Sequence, residues 1–98
     1  MALMKALSKE LAEDHIRVNA INIGLIKSGQ NDRRWQSMGS PGTREEYYAE
    51  AAKRMGIPLG RVGEAEEVGD LIAFLCSSRG AYLTGVSINV DGGTSAVF

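Results

Sequence analysis

Few side chains in this sequence have a type and spacing that could do chemistry. There is one histidine, His15, and one cysteine, Cys76. A single cysteine makes no internal disulfide. With no CxxC pair and no second histidine, a zinc site of cysteine and histidine is excluded. Such cysteine usage points to a reducing cytoplasm. His15 stands where a helical pattern stops and reads as a surface or capping residue, not a metal ligand. Cys76 lies next to the apolar side of its helix and reads as a buried, inert thiol. Glu64, Glu66 and Glu67 load the first turn of a predicted helix, where the dipole favours negative charge, so a metal site there is not expected. The remaining candidates, Ser28, Trp35 and Met38, share one long polar stretch, residues 25–42. A loop this long inside a compact domain usually serves as a lid or a binding segment.

The bulk properties narrow the function classes. Eleven basic against twelve acidic residues leave a net charge of −1, so neither nucleic acid nor an anionic membrane surface is an expected partner. The longest strongly apolar run, residues 71–76, is far short of the ~20 residues that span a bilayer. No basic segment precedes an apolar one, so no signal peptide is expected. At 44% hydrophobic and 23% charged, the 98 residues have ordinary globular composition, which excludes disordered and low-complexity chains.

Periodicity supplies the elements that must position the candidates. Residues 1–13 read as a helix with Met4, Leu7 and Leu11 on one stripe, and the stripe is already running at Met1. Residues 16–23 read as a strand rich in β-branched side chains; Ile21 and Ile23 make its end apolar on both faces. Gly24 ends it. Residues 25–42 read as loop, with a short helical turn at 32–37. Thr43 and Glu46 form a capping box opening a helix over 43–55, and Gly56 stops it. Of Tyr47 and Tyr48, one should be core and the other surface. Pro58 makes 57–61 an extended linker. Residues 64–77 read as a helix with Val68, Leu71, Ile72 and Leu75 on its buried side. Gly69 within it suggests close approach of another element. Residues 86–90 alternate as a strand, and Asp91-Gly92-Gly93 reads as a tight turn.

A strand, a long helical crossover and a second strand make two parallel strands joined by a right-handed connection, with three main helices. Two strands cannot cover both faces of segment 16–23 and pair both its edges. The chain therefore reads as a single partial α/β domain, a piece of a larger sheet.

The segments Ala6-Leu7-Ser8-Lys9-Glu10-Leu11-Ala12, Ile16-Arg17-Val18-Asn19-Ala20-Ile21-Asn22, Ile57-Pro58-Leu59-Gly60-Arg61, Tyr82-Leu83-Thr84-Gly85 and Val90-Asp91-Gly92-Gly93 stand here in one order. In that order and spacing, with Glu66-Glu67-Val68 and Phe74-Leu75-Cys76-Ser77 between them, the chain resembles the C-terminal part of the short-chain dehydrogenase/reductase family. The resemblance implies a doubly wound, Rossmann-type sheet of roughly 250 residues, within the range of single α/β domains. It also implies NAD or NADP as cofactor and a carbonyl or alcohol as small-molecule substrate. The family's glycine-rich cofactor turn and catalytic serine have no counterpart here. No lysine follows Tyr47, Tyr48 or Tyr82 by four residues, so the YxxxK pair is missing too. No catalytic residue carries over, and the chain alone is expected to be inactive and to bind nucleotide weakly or not at all. What does carry over is the turn after the first strand. There the family shows Pro-Gly-x-x-x-Thr, and this chain has Ile23-Gly24-Leu25-Ile26-Lys27-Ser28. The resemblance implies that the Ile26 backbone and the Ser28 hydroxyl hold the nicotinamide carboxamide, at the carboxyl end of a parallel strand. Ile23 replaces the family proline and leaves that turn less rigid. Trp35 and Met38 fall in the loop that lines the family's substrate pocket. The alternative expectation is a non-catalytic piece that forms homo-oligomers through its uncovered apolar surfaces.

Overall fold

The computed structural model describes residues 2–95; Met1, where the first helix was expected to begin, lies outside them. Helix α1 spans Ala2–Leu11 and continues as a 3-10 turn over Ala12–Asp14. His15 closes it in the left-handed region, φ 58°, with its amide donating to the Ala12 carbonyl. The side of α1 that docks is the polar one. Ser8 is buried against Gly85, where a Cβ would stand 2.7 Å from its hydroxyl, and Lys5 Nζ donates to the Gly85 carbonyl at 3.0 Å. Leu3 and Leu7 of the apolar stripe are exposed.

Strand β1 is Ala20–Ile23 and β2 is Ser87–Val90, paired parallel with Asn22 opposite Asn89 and Ile23 opposite Val90. The ladder is shorter than the predicted strand 16–23 because residues 18 and 19 are engaged by the turn before β2. The Val18 amide donates to Thr84 Oγ1, Asn19 Nδ2 donates to the Leu83 carbonyl, and Asn19 Oδ1 accepts the Val86 amide. These side-chain bonds replace ladder bonds over that stretch.

The crossover between the strands holds three helices. Helix α2, Gly29–Ser37, corrects the expectation of a loop with one short turn; Ser28 caps it by accepting the Asn31 amide. The described residues thus hold four α-helices where the pattern predicts three main ones. Helix α3, Arg44–Met55, is capped by Thr43 and stopped by Gly56 at φ 64°. Helix α4, Ala65–Cys76, opens with a reciprocal cap between Glu64 and Glu67. Arg61 grips Glu67 at 2.7 and 2.9 Å. That bidentate hydrogen bond, helped by the Glu64 amide, holds the Glu67 carboxyl down to about 2. Arg17 donates to the carbonyls of Leu75 and Gly80, closing the far end of α4.

The core sits on one side of the molecule. Tyr48 and Ala52 of α3 pack on Ile57 and Val62, with Leu25 and Tyr47 against them. Residues 57–60 form a turn, not an extended linker: Gly60, at φ 79°, donates its amide to the Ile57 carbonyl. On α4 only Val68 and Leu75 are buried, while Ile72, Phe74 and Cys76 are exposed. Cys76 is therefore not the buried thiol its helix position suggests, because nothing among the described residues covers that side of α4. No described atom comes within 4 Å of where a Gly69 Cβ would stand, so no element approaches it either. The accessible surface, 6981 Å², exceeds the roughly 5,400 Å² of a monomer this size. The radius of gyration, 16.7 Å, exceeds the roughly 13 Å of a compact chain. Among the described residues, no helix is long and apolar enough to cross a membrane.

Candidate functional site

The site is built where both strands end. Gly24 leaves β1 with its amide donating to the Val90 carbonyl at 2.9 Å. A Cβ on Gly24 would stand 2.8 Å from Asp91 Cβ and 2.9 Å from Asp91 Cα, so only glycine lets the two strand ends lie this close. Asp91 is fixed in turn. Its carboxylate accepts the amides of Gly93 and Ser95, and its carbonyl accepts the Thr94 hydroxyl. Asp91-Gly92-Gly93 is the tight turn that the sequence suggests.

Beyond Gly24 the chain makes a second, single-residue parallel bridge. Ile26 lies opposite Gly63: the Gly63 amide donates to Leu25 and its carbonyl accepts the Lys27 amide. This alternation turns the amide and carbonyl of Ile26 away from Gly63. The carbonyl accepts Asn31 Nδ2 at 2.7 Å. The amide has no acceptor among the described residues, which leaves one half-buried backbone donor at the carboxyl end of the sheet. Ser28 follows two residues on. Its hydroxyl oxygen accepts from Asn31, so its hydrogen is still available to donate.

Gly24, Ile26 and Ser28 are brought together. Ile23 ends β1 with its side chain exposed. Trp35 and Met38 are not part of this group: roughly 15 Å of helical rise separates Ser28 from Met38. Trp35 Nε1 donates to the Pro41 carbonyl at 3.1 Å, which holds the following turn against α2. Met38, at the end of α2, is exposed.

The sequence pattern does not reveal what holds α2 in place. Tyr48, 2% exposed, donates its hydroxyl to Asp32 Oδ1 at 2.5 Å, and Arg44 Nε donates to the same oxygen at 2.8 Å. The Arg44 bond, then the Tyr48 bond, hold the Asp32 carboxyl below its ordinary 3.8. Burial first, then the bond to Asp32, push Tyr48 up to about 12, against which the Ser28 amide acts weakly. Tyr47 packs edge-on against Tyr48 with ring centroids 5.3 Å apart. Asp32 and Arg44 lie on different helices at no motif spacing; only the apolar setting of the adjacent tyrosines hinted at this cluster. Two open clefts flank the strand ends. One of about 400 Å³ runs past Leu25, Ile26, Pro58, Leu59 and Gly92, and one of about 600 Å³ past Asn22, Ile23, Gly24, Met55 and Thr94. No described group of three or more His, Cys, Asp or Glu could hold a metal ion.

Comparison with known proteins agrees over nearly the whole chain. A family model described as enoyl-(acyl carrier protein) reductase matches residues 1–95. A tropinone reductase homolog of Arabidopsis thaliana is 36% identical over 95 residues, covering 93% of this chain and 30% of that protein. The NADPH-dependent reductase BacG of Bacillus subtilis is 37% identical over 90 residues, covering 92% of this chain and 35% of that protein. An NADPH-bound short-chain oxidoreductase of Pseudomonas aeruginosa, noted for an atypical catalytic center, superposes with a TM-score of 0.86 at 38% identity. The match covers 99% of this chain and 36% of that one. The chain spans about a third of the length of the proteins it matches.

Proposed function

The chain belongs to the short-chain dehydrogenase/reductase family, and from that premise we propose that it forms one wall of the nicotinamide cleft of an NAD(P)-dependent oxidoreductase. The observation that carries this reading is the free amide of Ile26 beside the Ser28 hydroxyl, both set by the Gly24–Asp91 contact and the Gly63 bridge. A carboxamide presents one acceptor and one donor. The Ile26 amide meets the acceptor; the second lone pair of the Ile26 carbonyl, or the Ser28 hydroxyl oxygen, meets the donor. The residues present therefore fit a nicotinamide. The bound cofactor would supply hydride exchange with a carbonyl or alcohol substrate. This chain's part is to orient the ring, with Trp35 and Met38 on the substrate side of the lid. The family's catalytic serine, YxxxK pair and glycine-rich turn have no counterpart in these residues, and the expected behaviour of the chain alone is no turnover and no tight nucleotide binding. The absence of a disulfide pair suits a reducing cytoplasm.

The test is a chimera. Residues 1–95 replace the matching segment of the Pseudomonas oxidoreductase, and nucleotide fluorescence reports NADPH binding. Saturable binding by the chimera supports the reading. A folded chimera that does not bind NADPH contradicts it.

A second reading is favoured by the outward apolar side chains of α1 and α4 and by the excess accessible surface: the isolated chain self-associates as a homo-oligomer. Light scattering should show oligomers whose mass falls when Ile72 is replaced by Asp. A monodisperse monomer at high concentration contradicts it.

A further inference from the structure

We infer that Tyr48 and Asp32 are positioning residues for the Ile26–Ser28 segment, an inference that rests on reading that segment as the carboxamide clamp. The connections are continuous. Tyr48 is anchored in the core with Ala52, Ile57 and Val62. Its hydroxyl donates to Asp32 on α2, and the Asp32 backbone amide donates to the Ser28 carbonyl at 2.8 Å. Ser28 Oγ accepts the Asn31 amide, and Asn31 Nδ2 donates to the Ile26 carbonyl. Ser28 is thus two hydrogen bonds from a buried ring on another helix, and Ile26 is joined to it through Asn31, the chain neighbour of Asp32. Ile26 has one further restraint, the bridge to Gly63. Ser28 has no backbone ladder partner, so its placement depends on α2, and α2 meets α3 through Asp32.

The arrangement also explains an aspartate inside a lid helix of polar residues. A charged acceptor makes the stronger hydrogen bond to a buried phenol. Arg44 at 2.8 Å balances its charge. Lys27 stands 5.9 Å from the Tyr48 ring centroid and pairs with Glu64 at 2.9 Å, so it does not compete for Asp32.

The test uses the intact chain, with amide hydrogen exchange read residue by residue by NMR. Tyr48→Phe keeps the ring in the core and removes only the hydroxyl; Asp32→Asn is the second variant. In each, protection at Ser28, Asn31 and Asp32 should fall roughly tenfold. Ala51 and Ala52 amides in α3 should stay within about twofold. The fluorescence of Trp35, the only tryptophan, should change in wild type as acid protonates Asp32 and should not change over that range in Asp32→Asn. Unchanged protection at 28–32 in both variants would overturn the proposal. So would an equal loss throughout α3, which would assign the pair to general folding. The arm that bears on the clamp is NADPH binding by the folded chimera: its absence, with the exchange pattern as expected, would reject the clamp and leave the positioning role standing.

Discussion

The two sides of the molecule differ in where their apolar side chains go. Around α3 and the 57–62 turn, the chain closes a core on itself: Tyr48, Ala52, Ile57 and Val62 are all under 8% exposed. On α1 and α4 many apolar side chains turn outward, with only Val68 and Leu75 of α4 buried. Leu3 is 74% exposed and Ile72 45%, and α1 docks through Ser8 and Lys5 instead. The first side carries the candidate clamp, and the clamp is as well held as its own local core. The second side presents apolar surface that only further protein could bury. A segment can therefore keep a structured ligand-contact edge while the rest of its surface stays uncovered.

The strongest test of that contrast is truncation on each side. Tyr48→Ala removes the largest ring of the core and should cost about 3–5 kcal/mol, enough to unfold a marginal chain. Ile72→Ala should move stability by no more than about 0.5 kcal/mol, because no contact closes around it. Urea midpoints followed by circular dichroism compare the two; equal losses would erase the distinction. A smaller effect is expected at the strand ends. Gly24→Ala puts a methyl group against Asp91 backbone and should cost about 1–3 kcal/mol of strain, read by the same midpoints. The pH response is smaller still. Asp32 is held below its ordinary 3.8 chiefly by Arg44 and then by Tyr48. A carboxyl shifted downward contributes stability above its unfolded value and loses it as pH falls through the folded value. The α2–α3 contact should therefore be insensitive to pH near neutrality and loosen only below about pH 4. Trp35 fluorescence follows it, and loosening near neutral pH would sharpen the search toward another group.

How much of this was legible in the sequence follows from how local each cause is. The cap at Thr43 and the stop at Gly56 depend on residues within one turn of each other, and the sequence places them correctly; Glu64 reads as part of the first turn of α4, whereas it caps it. The parallel pair of strands is legible for a related reason: β-branched runs flank a long crossover. Helix α2 is legible only as a short turn at 32–37: its Ser28 cap is local, but its anchor Asp32 depends on Tyr48, sixteen residues further along. The first strand was overextended because Val18 and Asn19 are β-like in pattern but bond to a turn more than sixty residues away. Cys76 was misplaced because a helix stripe shows which side is apolar, not whether anything covers it. Ile26 and Ser28 came from family resemblance; periodicity alone marked only a loop.

The central claim, that Ile26 and Ser28 form the nicotinamide-facing clamp, is tested most directly by the NADPH dissociation constant of the chimera with and without Ser28→Ala. One lost hydrogen bond should weaken NADPH roughly three- to tenfold with the chimera still folded. Equal dissociation constants for the two proteins would contradict the clamp.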